Sequence, residues 1–114
     1  MGHSIDAHFE GKSPCVREIY DLIVATGREF GPVEEDAKKT SIHLNRRSAF
    51  AGVQTRRNYL ILTFKAKNHI ESPRISRSEQ ASANRWYHEI KLSEADEIDA
   101  EVIAWLQESY NMSI

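Results

Sequence analysis

Residues 38–50 read Lys-Lys-Thr-Ser-Ile-His-Leu-Asn-Arg-Arg-Ser-Ala-Phe, and the period of this stretch decides the fold. Thr40, Ile42 and Leu44 alternate with Lys39, Ser41, His43 and Asn45, the two-residue period of a strand with one apolar and one wet face. Arg46-Arg47-Ser48 then makes a tight connection to a second strand, Ala49 through Gln54. Thr55 to Asn58 makes another connection, to a third strand from Tyr59 through Lys65. Leu60, Leu62 and Phe64 share one side of that third strand, and Tyr59, Ile61, Thr63 and Lys65 the other. An antiparallel meander is the expected result.

Working outward, Ser13-Pro14 opens a helix, because Pro at the first helical position costs no hydrogen bond. Val16, Ile19, Tyr20, Ile23 and Val24 follow at helical spacing, and Gly31-Pro32 stops the run, so a helix is predicted from Pro14 to about Glu29. Glu34-Glu35-Asp36 reads as an acidic connector. Residues 66–84 are rich in Ser, Arg and Asn with few apolar residues, and read as one long loop. Trp86, His88, Ile90 and Leu92 alternate with Tyr87, Glu89 and Lys91, giving a fourth strand. Ser93 with Glu94 and Asp96 resembles a capped helix start, and Ile98, Val102, Trp105, Leu106 and Tyr110 supply the apolar stripe of a closing helix. The expectation is an α+β fold: a four-stranded antiparallel sheet with the N-terminal and C-terminal helices packed on one face. Residues 1–12 are expected to be a flexible arm before a single domain, 13–114.

Charge is divided unevenly along the chain. Between Lys38 and Arg85 lie 11 of the 15 Lys and Arg residues against two acids, Glu71 and Glu79, so the net charge of −2 hides a basic centre between acidic flanks. The 114 residues suit one domain that buries about two thirds of the surface its unfolded chain exposes. The single cysteine, Cys15, leaves no internal disulfide and fits a reducing cytoplasm. The first residues lack the basic and apolar pattern of a secretory leader, and no apolar run is long enough to cross a membrane.

The series E-E-D-A-K-K-T-S-I-H-L-N-R-R-S-A-F-A, L-I-L-T-F-K, H-E-I-K-L and D-A-E-V-I-A-W-L-Q-E-S-Y resembles a family of small bacterial α+β domains of unknown function, over about Val16 to Tyr110. The resemblance rests on Lys38, Lys39, Arg46, Arg47, Phe50, Lys65, His88, Trp105 and Tyr110, and is weakest across residues 66–84. It implies no substrate and no activity.

Function is therefore read from charge. Lys39, His43, Arg46, Arg47, Arg56, Arg57 and Lys65 are candidates for an anion-binding face, with Tyr59 available for stacking. The expected role is a non-catalytic module for nucleic acid or a phosphorylated ligand. The alternative is a protein-interaction or homodimerisation module in which the basic stretch meets acidic helices. His88, in phase with Trp86 and Ile90, is a pocket candidate, and a satisfied core histidine is its plainer reading. An enzyme using His88 with Lys39 or Lys65 has least support, since no nucleophile, metal spacing or cofactor fingerprint accompanies them. No cofactor and no metal are expected: the His residues are not at ligand spacing and no cysteine joins them.

Overall fold

The computed structural model describes residues 3–114; Met1 and Gly2, at the start of the expected arm, lie outside them. Two helices, α1 (Pro14–Phe30) and α2 (Ala100–Asn111), pack on one face of a single sheet. The sheet has six strands rather than four: β1 (Glu34–Ala37), β2 (Ile42–Asn45), β3 (Ala49–Thr55), β4 (Leu60–Ala66), β5 (Ile75–Ser82) and β6 (Arg85–Leu92). Their order is β1-β2-β3-β4-β6-β5, and every neighbouring pair is antiparallel.

Both added strands are edges, and that is why apolar periodicity does not reveal them. β1 is the segment read as an acidic connector. It pairs with β2, Glu35 opposite Leu44, and places Glu35 on the helix-covered side. There Tyr20 donates its hydroxyl to Glu35 at 2.6 Å and Arg28 pairs with the same carboxylate at 3.2 Å. Burial, and secondly the Glu35 carboxylate, push the Tyr20 hydroxyl far above its usual range, so it stays a donor. β5 lies inside the segment read as a loop. It is polar because it has a partner only on its β6 side, and none of its residues is fully buried. Its pairing with β6 shifts register twice, at Ile75/Arg77 and at Gln80/Ser82.

The core is the layer between sheet and helices. Val16, Ile19, Tyr20 and Ile23 of α1 and Val102, Leu106 and Tyr110 of α2 close over rows of sheet residues: Ile42, Val53, Leu62 and Ile90 in one, Leu44, Ala51, Phe64 and His88 in the next. Trp105 stacks on Phe64 at 5.3 Å and an interplanar angle of 13°. α1 ends at Gly31, where φ is 157°, and a side chain there would run into the Tyr110 hydroxyl, which donates instead to the Pro32 carbonyl at 2.9 Å.

The closing helix starts later than its acids imply. Glu94 and Glu97 cap a short 3-10 turn (Ala95–Glu97), and Asp99 caps α2 by accepting from the Val102 N–H. That hydrogen bond first, and Arg74 second, hold the Asp99 carboxyl below the usual range. At the other end of the chain, residues 6–9 form one 3-10 turn. Ile5 and Phe9 pack on the core, Phe9 against Tyr20 at 5.1 Å, and Thr55 donates to the His8 carbonyl.

Candidate groove on the open sheet face

Strand geometry sends alternate residues to opposite faces, so the sheet has a second side that no helix covers. Across it run Asp36, His43, Gly52, Thr63 and Glu89 in one row, with Lys65 and Tyr87 paired in the next. Gly52 contributes no side chain at the middle of this face, and its absence leaves a groove of about 350 Å³. The floor is the β3 backbone with Thr63. The walls are His43 and Ser41 on one side, and Lys65, Arg85 and Tyr87 with Ser48 on the other.

Lys65 is the physical anomaly of the groove. It is only 4% exposed, yet among the described residues it has no ion pair. Its ammonium meets the Ser48 hydroxyl at 3.2 Å. Burial, then the neighbouring positive charge of Arg85, pull its pKa below the usual lysine range. Arg85 is exposed and likewise free of any carboxylate partner among the described residues. Two unneutralised cations, one of them desolvated, therefore share one end of a concave surface whose lining contains no Asp or Glu.

The expected basic face is divided. His43 and Lys65 line the groove together. Arg46 turns toward the helices, its guanidinium 4.6 Å from the Tyr110 ring and donating to the Tyr110 carbonyl. Arg47 sits beside it in the β2–β3 turn, whose backbone donates to the Ser113 carbonyl. Arg56 and Arg57 occupy the β3–β4 turn at the opposite end, where Arg56 bonds the Thr55 carbonyl and Gln54. Lys39 is exposed in the β1–β2 turn at that same end. Seven residues of β3 separate the two ends, roughly 20 Å of extended chain. Tyr59 is covered by the Lys91 ammonium at 4.4 Å.

His88 lies on the other face, fully buried, with the Phe64 ring 5.7 Å and the Trp86 ring 6.1 Å away. Its Nε2 donates to the Asn68 carbonyl at 3.3 Å, which leaves Nδ1 to accept from the Ser78 hydroxyl at 2.8 Å. Both ring nitrogens are thus satisfied, and the ring ties β6 to β5 and to the loop before it.

Arg85, Tyr87, Thr63, Ser48 and Gly52 complete the groove, and charge and motif in the sequence single out none of them. The alternation of Tyr87 with His88 marks Tyr87 as facing the open side. What the sequence does not carry is the register that sets Tyr87 beside Lys65. A larger hollow, about 640 Å³, lies at the end of α2, where Lys67 and Glu108 bring opposite charges and no buried polar group converges. The smaller groove is the better candidate on chemistry.

No helix among the described residues is long and apolar enough to cross a membrane. The family described as domain of unknown function (DUF5655) matches residues 5–113, and the chain belongs to it. Comparison with curated proteins and with solved structures gave no match.

Proposed function

With membership of a family that states no activity as the premise, we propose that this domain binds a small anionic ligand, a phosphate or carboxylate compound, in the groove on its open sheet face. The observation that carries the reading is Lys65, desolvated beside Arg85 with no carboxylate to neutralise either. A buried ammonium without a counter-charge costs stability, and groups desolvated in a cleft beside a like charge concentrate at functional sites. The ligand's anion would take the Lys65–Arg85 end, its body would lie over Gly52, and Ser41 and His43 offer hydrogen bonds at the far side. A compact ligand fits better than a nucleic-acid strand, because the remaining cations sit at two ends of the sheet and not along one track. The lone half-buried Cys15 accords with a reducing cytoplasm as the working compartment.

The test is an amide chemical-shift titration with inorganic phosphate, a phosphate monoester and a single-stranded oligonucleotide at low and moderate salt. Saturable shifts at Gly52, Thr63, Lys65 and Arg85 are expected with the two small ligands, and their loss in the double variant Lys65→Met/Arg85→Gln. Gly52→Val should block binding without unfolding, since a Cβ at Gly52 meets only Thr63, at 3.7 Å. Absence of shifts at low salt overturns the reading. Oligonucleotide binding that survives the double variant and falls on reversing Arg56 and Arg57 replaces it with nucleic-acid recognition.

A further inference from the structure

Of the six lysines in the chain, Lys65 alone is buried. We propose that Lys65 is a nucleophilic amine that captures a small anionic aldehyde or ketone as a reversible imine, while Arg85 holds the ligand's phosphate or carboxylate. The proposal rests on the anion-binding reading of the groove and adds a covalent step to it.

Its basis is the placement of the amine. Lys65 projects from β4 onto the open face and lines the groove, its Nζ 3.2 Å from the Ser48 hydroxyl. That hydroxyl can accept from the ammonium or donate to the free amine, so it serves both protonation states. Arg85 lies two residues before Tyr87, the register partner of Lys65, and so on the same face. Loss of water and a fixed neighbouring cation both disfavour the ammonium, which are the two means by which proteins raise the supply of neutral lysine. The other titratable groups on this face do not offset them. Asp36 is engaged by Lys38 at 2.8 Å, Glu79, beyond Tyr87 in the row of Lys65, is engaged by Arg77 at 3.2 Å, Glu89 stands opposite Thr63 one row away, and His43 is across the groove.

The step balances without any oxidant or reductant. The lone pair of neutral Nζ adds to the carbonyl carbon, forming a C–N bond as the C–O π pair moves onto oxygen. The oxygen takes up the proton that nitrogen gives up, and the carbinolamine loses water to leave a C=N bond. Water reverses the sequence. Arg85 keeps its charge throughout, so an anionic carbonyl compound is favoured over a neutral one by direct attraction.

The experiment incubates the full chain with glyoxylate at neutral pH in the presence of sodium cyanoborohydride and locates the reduced adduct by peptide mass spectrometry. Lys65 should be labelled several-fold faster than any of the other five lysines, and inorganic phosphate should slow that labelling. Arg85→Gln should slow capture of glyoxylate more than capture of propanal, a neutral aldehyde, which loses only the effect of Arg85 on the Lys65 ammonium. Lys65→Met, checked for folding by circular dichroism, should lose the fast site. Labelling that is even across the lysines, or led by an exposed one, overturns the proposal. If phosphate still shifts the groove amides while Lys65 stays unlabelled, the covalent step falls and the anion reading stands. If phosphate shifts nothing and Lys65 is unlabelled, both fall.

Discussion

Adjacent residues of β4 point to opposite faces, and the two faces treat polar groups in opposite ways. Phe64 faces the helices and pairs across the sheet with His88, a polar group fully buried with both nitrogens hydrogen-bonded. Lys65 faces the open side and is nearly as buried, yet its charge has a single hydroxyl neighbour and no counter-ion. The first face is complete in itself; the second is left with a charge to be met from outside. Among the described residues no buried side-chain polar atom lacks a hydrogen bond, so the distinction lies in charge and not in hydrogen-bond count.

Substitutions can break that contrast or sharpen it. The largest effect belongs on the closed face. Phe64→Ala removes the ring between His88 and Trp105 and should destabilise by about 3–5 kcal/mol in urea unfolding. His88→Ala leaves the Ser78 hydroxyl and the Asn68 carbonyl without their partner and should cost about 2–4 kcal/mol, with faster amide exchange in β5. Lys65→Met, one residue from Phe64, should instead stay within about 1 kcal/mol of the parent, because the stem packing is kept and the uncompensated charge is gone. A loss of more than about 3 kcal/mol there would place Lys65 with the structural groups and end the contrast.

The pH dependence of the Lys65 pair comes next. Its folded pKa lies below the ordinary 10.5, so between the two values the unfolded chain holds a proton that the native state lacks. Stability should therefore rise with pH through that window, and the full cost applies below it. The difference between parent and Lys65→Met isolates this rise from the other titrations. An unchanged difference across alkaline pH would show that the charge is solvated. Smallest of all, Arg85→Gln should alter stability by less than about 0.5 kcal/mol, since the side chain is exposed and makes no ion pair among the described residues. Its effect should be confined to binding.

The parts of the fold that repeat an apolar period are legible in the sequence. α1, β2, β3, β4 and β6 each bury every second or every third to fourth residue, and that pattern is written in side chains. β1 and β5 are not legible, because an edge strand is held by backbone bonds to one neighbour and need not bury its own side chains. Glu34-Glu35-Asp36 looks like a connector until Tyr20 and Arg28 are seen to receive Glu35. The start of α2 is obscured by Glu94 and Asp96, acids that belong to a separate turn preceding the helix.

Much the same division applies to the site. Lysine and arginine density identifies the right half of the chain, and alternation sets His43 and Lys65 on one side of the sheet. Neither shows that Arg46 turns to Tyr110, nor that Arg56 and Arg57 stand at the far end of β3. The groove itself depends on an absence, the missing side chain of Gly52, and on a register that brings Arg85 to Lys65. Both are tertiary facts with no local signature.

The two register shifts in β5 bear on how the molecule behaves in a crowd. A straight eight-residue edge strand offers a ladder on which a neighbouring chain can add itself, and then another, without limit. β5 bends twice within that length and carries Arg77 and Glu79 between the bends. An incoming strand would find its bonds out of step after a few residues, so growth stops before it begins. The irregular outer edge that leaves this strand without an apolar period is thus also a guard against fibre formation.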